Sequence, residues 1–287
     1  TDDNIEPEQV AREVILAAQQ ENSFDFVEFS FARTVSNNSS GKDLIAAIKS
    51  GQIKLAGVEV VDQSSATVAT EIEGSAGNDI IVAGSGSDTV GYKVGQGNDT
   101  VDGGSGFDLI SVDLAANDTD DDVVGAPAQV SITSRNGQVV LNGGDFELTL
   151  NGIEEIMLTS GNAGGSFTIG DLSGTDIADD TIILVGGKGA INVVNESDRS
   201  LEVSATPGND TITGGASTDL IIGLGGNDSL SGGAGNDTIG GGAGKDTLDG
   251  GAGNDRLDYG IGDEIRGGTG TDTLQVFGNS LDVADLV

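Results

Sequence analysis

The sequence predicts an all-β fold, a parallel solenoid wound from nine-residue units. Three observations carry that reading. Eleven aspartates fall at the sixth place of one pattern, Gly-Gly-x-Gly-x-Asp-x-(apolar)-x. The eighth place of the pattern is apolar every time, and 48 of the 287 residues are glycine. A short unit repeated at fixed period cannot bury an apolar face alone, so it must stack on its neighbours.

The longer run begins at Ala205, where Asp210, Asp219, Asp228, Asp237, Asp246 and Asp255 follow at a spacing of nine and Asp272 closes the block. A shorter run holds Asp79, Asp88, Asp99 and Asp108. Each place has a physical task. Glycine at the first, second and fourth places permits positive φ, so main-chain carbonyls can turn toward a common point. The fourth-place glycines are Gly77, Gly86, Gly97, Gly106, Gly208, Gly226, Gly235, Gly244, Gly253 and Gly270; the second-place ones include Gly215, Gly233, Gly242, Gly251 and Gly268. Carbonyls and carboxylates together supply the about six to eight oxygens that a hard cation such as Ca²⁺ takes. The eighth place holds Ile81, Val90, Val101, Ile110, Ile212, Ile221, Leu230, Ile239, Leu248, Leu257 and Leu274. That residue is expected to point inward while places seven and nine face water, the period-two signature of a short strand.

These residues resemble the repeats-in-toxin (RTX, haemolysin-type) calcium-binding family, with strong matches over 74–110 and 205–275. The resemblance implies a calcium-stapled parallel β-roll in which two nonads make one turn and calcium lies between turns stacked on one side. Carried onto this sequence, ions would lie between Asp210 and Asp228, Asp228 and Asp246, Asp219 and Asp237, and Asp237 and Asp255. Further ions would pair Asp255 with Asp272, Asp79 with Asp99 and Asp88 with Asp108, for roughly six to nine ions in all.

Several units depart from the pattern. Ser217 stands at the fourth place before Asp219, and Pro207 at the third place of the opening unit. Residues 259–266 form a unit one residue short, so either Asp263 or Glu264 is its acid. Val94 occupies a first place, and the inserted Tyr92 and Lys93 break the spacing between Asp88 and Asp99.

Outside the repeats, residues 1–73 read as an amino-terminal cap. Pro7 suits the first turn of a short helix, a second helix runs from a Ser40 cap toward Gly51, and FDFVEFSFARTV between them reads as a phenylalanine-rich strand that plugs an open solenoid end. Residues 111–204 form a strand-rich segment between the two blocks. Asn136-Gly137 between alternating runs signals a type I′ hairpin. The segment either continues the solenoid without metal or is an inserted sandwich, and continuation is the expectation. The acidic run at 118–122 reads as a solvated loop, since it lacks the glycine and closing glutamate of an EF-hand. A tail at 276–287 follows the second block.

Charge narrows the partners. With 47 acids against 12 bases the net charge is −35, which argues against nucleic acid and anionic membranes. About eight Ca²⁺ would still leave it near −19. Without the ion the carboxylates repel, and one apolar residue per nonad is thin against about 1–2 kcal/mol of backbone ordering per residue. Folding and metal binding are therefore expected to be one event. No apolar stretch approaches the roughly 20 residues of a membrane span.

The chemistry excluded is broad. With no histidine and no cysteine, HExxH zinc hydrolysis, Ser-His-Asp and Cys-His catalysis and disulfides are all absent. Lys42-Asp43 and Lys245-Asp246 do not make a phosphate-binding loop. Glu154 and Glu155 form the one acidic pair in strand-like sequence, but neighbours on a strand face opposite ways and cannot flank one bond. Third-place residues include only one threonine, Thr269, so a flat ice-binding array is missing. The expectation is a non-enzymatic protein, a cell-surface structural component or an adhesin segment, that can assemble with itself. The alternative is the folding and secretion module of a larger hydrolase. The resemblance also implies an extracellular location at the surface of a Gram-negative bacterium. Such proteins leave the cell by type I secretion with an uncleaved carboxy-terminal signal, and the closing LDVADLV is similar to one.

Overall fold

The computed structural model describes residues 60–75, 77–93, 97–114, 128–144, 146–175, 177 and 182–276. The expected amino-terminal helices and phenylalanine-rich strand, the acidic run at 118–122 and the tail after 276 lie outside these residues.

The described residues form strands and turns. In chain order the strands are β1 (Val60–Asp62), β2 (Glu71–Glu73), β3 (Ile80–Val82), β4 (Thr89–Lys93), β5 (Asp99–Asp102) and β6 (Leu109–Asp113). Next come β7 (Ala128–Arg135), β8 (Gln138–Asn142), β9 (Glu147–Asn151), β10 (Glu155–Thr159), β11 (Gly165–Ile169), β12 (Ile182–Val185), β13 (Ile191–Asn195) and β14 (Leu201–Ser204). The second repeat block supplies β15 (Thr211–Thr213), β16 (Leu220–Ile222), β17 (Ser229–Ala234), β18 (Thr238–Gly240), β19 (Thr247–Ala252), β20 (Arg256–Tyr259), β21 (Glu264–Thr269) and β22 (Thr273–Val276).

Two sheets result. One has twelve strands in the order β1-β3-β5-β9-β8-β7-β11-β13-β15-β17-β19-β21, the other ten in the order β2-β4-β6-β10-β12-β14-β16-β18-β20-β22. In the second block the chain alternates between sheets, so each nonad gives one strand and two nonads make one turn. Thr211 pairs with Ser229 and Ser229 with Thr247, a register of 18 residues. The short unit is absorbed as a 17-residue step from Thr247 to Glu264. The solenoid also reaches upstream of the first nonad, because β1 and β2 pair in parallel with β3 and β4.

The eighth-place residues form the inner columns. Ile81, Val90, Val101, Ile110, Ile212, Ile221, Leu230, Ile239, Leu248 and Leu257 are all buried, and Leu274 in the terminal strand is partly so. Burying each such side chain is worth about 1.5–3 kcal/mol. The outward places do not all face water as expected: Ile80 at a seventh place and Asp102 at a ninth are buried in the first block.

The insertion at Tyr92-Lys93 does not disturb stacking. It lengthens β4 to five residues, and the turns that contain it close in a 20-residue register, Ile80 on Thr100 and Thr89 on Leu109. Alternation carries Tyr92 inward. Its ring lies 5.2 Å from that of Phe146, and its hydroxyl donates to the Gly97 carbonyl at 2.7 Å.

Between the blocks both sheets continue, and the twelve-stranded one gains two strands. β7, β8 and β9 form an antiparallel meander, so three inter-strand steps separate β9 from β11 where one step separates β10 from β12. At about 4.8 Å per step the two faces differ by about 10 Å. The core continues there: Ile132, Leu141, Leu148, Leu150, Phe167 and Leu172 are fully buried. The hairpin turn is the expected one, with φ of 56° at Asn136 and 82° at Gly137.

Candidate metal centre

The turns that join the strands stack as closely as the strands do, and this forces glycine. At Gly244 (φ +149°) a Cβ would fall on the Gly226 carbonyl oxygen, and at Gly253 (φ +141°) on that of Gly235. Carbonyl oxygens of successive turns therefore line the edges of the roll with no side chain between them. The pattern tolerates its departures: the Ser217 carbonyl still meets Gly235.

The aspartates form two ladders in each block. The main-chain N–H of each donates to Oδ1 of the aspartate one turn on: Asp210 to Asp228 at 2.8 Å, Asp228 to Asp246 at 2.9 Å, Asp219 to Asp237 at 2.8 Å and Asp237 to Asp255 at 2.9 Å. Asp246 continues to Asp263 at 3.0 Å and Asp255 to Asp272 at 3.1 Å. In the first block Asp79 donates to Asp99 at 2.8 Å and Asp88 to Asp108 at 2.7 Å. Of the two acids in the short unit the ladder takes Asp263, whose Oδ2 also accepts the Gly260 N–H at 2.6 Å, while Glu264 is exposed.

The second oxygen is the informative one. Oδ2 of Asp99, Asp108, Asp228, Asp237, Asp246 and Asp255 is buried with no hydrogen-bond partner. Each of these except Asp99 points at the first-place glycine of its own unit: Asp237 at Gly232 and Asp255 at Gly250, where the carbonyl of the next turn also arrives, from Gly250 and Gly267 respectively. A lone buried carboxylate oxygen facing a carbonyl oxygen is repulsive unless a cation lies between them. Among the described residues no three acidic side chains converge, so the donor set is carboxylate pairs plus carbonyls, the oxygen-only set of a hard divalent ion. These residues fit calcium.

Where a block begins, the carboxylates are satisfied by the protein. Asp79 Oδ2 accepts from the Ser75 N–H at 2.7 Å, Asp88 Oδ1 from the Thr70 N–H at 2.6 Å, Asp210 Oδ2 from the Thr206 N–H at 2.9 Å and Asp219 Oδ2 from the Gly215 N–H at 2.8 Å.

Burial, more than this division, sets the charge states. Burial, opposed by the ladder hydrogen bond and reinforced by stacked neighbours, pushes the Asp237 carboxyl up to about 7 and Asp228 up to about 6. Burial likewise raises Asp99 to about 7, with Asp79 nearby, and Asp219 to about 6. Asp108 rises to about 6 through burial and the charges of Glu154, Asp88 and Asp102. At Asp88 burial is outweighed by the Thr70 hydroxyl and the Gly84 and Thr70 N–H groups, and the carboxyl is held below its usual range.

The ladder includes residues that the nonad pattern leaves unassigned. Asparagines at the fifth place run a second hydrogen-bond column in the opposite sense, with the Asn227 N–H donating to Asn209 Oδ1 at 2.7 Å and Asn254 to Asn236 at 2.7 Å. Their recurrence at 78, 98, 209, 227, 236 and 254 is the sequence signal that could have marked them. Glu154 also takes a rung: the Asp108 N–H donates to its Oε2 at 2.7 Å.

The model of the RTX calcium-binding nonapeptide repeat matches four stretches, residues 71–90, 94–111, 204–239 and 231–263. No curated protein matches the chain. RTX repeats bind calcium and are typical of secreted extracellular bacterial proteins. Among the described residues no helix is long and apolar enough to cross a membrane. With two largely parallel sheets, two nonads per turn and aspartates stacked at the turn edges, this chain carries RTX calcium-binding nonapeptide repeats folded as a β-roll.

Proposed function

We propose that this is a secreted, non-enzymatic calcium-binding protein that folds on metal binding and serves as a cell-surface structural component or adhesin segment of a Gram-negative bacterium. The observation that carries the calcium-dependent part is the set of buried, partnerless Oδ2 atoms between stacked turns. The ions pair Asp210 with Asp228, Asp228 with Asp246, Asp219 with Asp237, Asp237 with Asp255 and Asp255 with Asp272 in the second block. In the first they pair Asp79 with Asp99 and Asp88 with Asp108. Bound calcium joins one turn to the next and converts a repelling chain into a rigid rod.

The structural role is supported by what the described residues offer. Histidine and cysteine are absent from the whole sequence, and the buried carboxylates are arranged as repeating pairs at turn edges rather than around a cleft. The terminal strands β21 and β22 each pair on one side only among the described residues, an edge that favours contact with a further copy.

Light scattering on the calcium-loaded chain tests the role. Growth into large particles above a threshold calcium concentration supports a surface layer or sheath. A particle that stays monomeric at all concentrations removes self-assembly from the proposal and favours an adhesin segment or the secretion module of a larger protein.

A further inference from the structure

The ladder through Asp88 and Asp108 does not stop where the nonapeptide pattern stops. The register that sets Leu109 beside Glu155 sets Asp108 beside Glu154. The turn carrying Glu154 is shorter than the turn beneath it: Asp102 pairs with Asn151 and Leu109 with Glu155, so the 6 residues of one turn, 103–108, face the 3 of the next, 152–154. Glutamate reaches the rung from this short turn, its Oε2 accepting the Asp108 N–H at 2.7 Å.

We propose that Asp108 and Glu154, with the main-chain carbonyl of Gly152, form a further calcium site outside the repeat sequence. The proposal rests on the reading of the aspartate ladders as calcium sites. Its own evidence is local. Asp108 is fully buried and its Oδ2 has no hydrogen-bond partner. That atom lies against Gly103, where the Gly152 carbonyl oxygen also arrives. The same three-part arrangement recurs at Asp237 Oδ2, Gly232 and the Gly250 carbonyl. Glu154 supplies the second carboxylate, fixed by the 2.7 Å bond from the Asp108 N–H. The parallel ladder lacks this continuation, since Asp99 pairs with Leu148 in the next turn.

The site would staple the last turn of the first block to β10, the first strand that the middle segment adds to the ten-stranded sheet, and so couple calcium binding to the part of the solenoid that has no nonads. The test is to count bound calcium by equilibrium dialysis on the full chain in wild type, Glu154→Gln and Asp237→Asn. Glutamine keeps an oxygen that accepts the Asp108 N–H and removes only the charge. The expected result is one ion fewer for Glu154→Gln and a separate loss for Asp237→Asn. A full complement in Glu154→Gln beside a loss in Asp237→Asn overturns the Glu154 site and leaves the ladders standing. No loss in either variant overturns the reading of the ladders themselves. Should Glu154→Gln fail to fold, anomalous scattering from calcium-soaked wild-type crystals decides. A peak beside Asp108 Oδ2 supports the site, and peaks beside Asp237 and Asp255 with none there overturn it.

Discussion

Asp237→Asn separates a carboxylate that holds a metal from one that only accepts a hydrogen bond. Asp237 Oδ1 accepts the Asp219 N–H at 2.8 Å, while its Oδ2 is buried and partnerless. Asparagine keeps an oxygen for the first and puts an amide where the cation belongs. The residue serves two proposed sites, with Asp219 above and Asp255 below. Sites of extracellular type bind at about 10⁻⁴–10⁻³ M, so at about 10 mM calcium each contributes roughly 1.4–2.7 kcal/mol. Losing two costs about 3–5 kcal/mol. Spread over the about five ions that remain of the seven proposed pairs, this raises the calcium midpoint of folding about three- to sixfold, since each ion must make up about 0.6–1 kcal/mol by mass action. Far-ultraviolet circular dichroism across a calcium titration reads that midpoint. If Asp237→Asn folds at the wild-type midpoint while Asp237→Ala does not, the side chain is a hydrogen-bond rung and the metal reasoning fails.

Acidity should act with opposite sign with and without the ion. In EDTA the folded-state values of about 7 for Asp237 and Asp99, and about 6 for Asp228, lie above the unfolded value of about 3.9. Their protonation therefore favours the fold fully below about pH 4, and that contribution is lost as pH rises through about 6–7. Calcium-free chain should gain β-signal on going from pH 8 to pH 5, while in calcium the folding midpoint should rise over the same range as protons compete with the ion; a dichroism series at each pH checks both. Gly244→Ala places a Cβ on the Gly226 carbonyl at φ +149° and should cost at least about 2 kcal/mol, whereas Ala243→Ser, at an exposed third place, should be neutral in urea titrations. Tyr92→Phe loses the 2.7 Å bond to Gly97 at about 1 kcal/mol, and Tyr92→Ala loses the ring at about 3–5 kcal/mol, both read as urea midpoints in saturating calcium.

Much of the roll is legible in the amino-acid sequence, for a simple reason. A nonad places glycine, aspartate and one apolar residue at fixed offsets, so inward column, turn and ladder follow from period alone. The short unit is ambiguous in sequence because Asp263 and Glu264 are adjacent, and only the 17-residue register selects Asp263. Tyr92 reads as a break because an insertion disturbs a periodic count, but a strand absorbs two residues without changing face. The meander of β7, β8 and β9 is half legible: Asn136-Gly137 marks the hairpin, and nothing local shows that it lies inside a parallel sheet. Glu154 escapes a reading by period because its partnership with Asp108 spans 46 residues and a shortened turn. Strand alternation governs which way neighbours point within a strand, and Glu154 lies just before β10 begins.

The central claim is that calcium between stacked carboxylates, rather than the single apolar residue per nonad, holds the roll together. The most direct measurement is the hydrodynamic radius and far-ultraviolet dichroism of EDTA-stripped chain as calcium is added at neutral pH. The account predicts an expanded chain that gains β-structure and compacts in one cooperative step with a midpoint between about 10⁻⁴ and 10⁻³ M. A chain already compact and β-rich in EDTA, and unchanged by calcium, would contradict it.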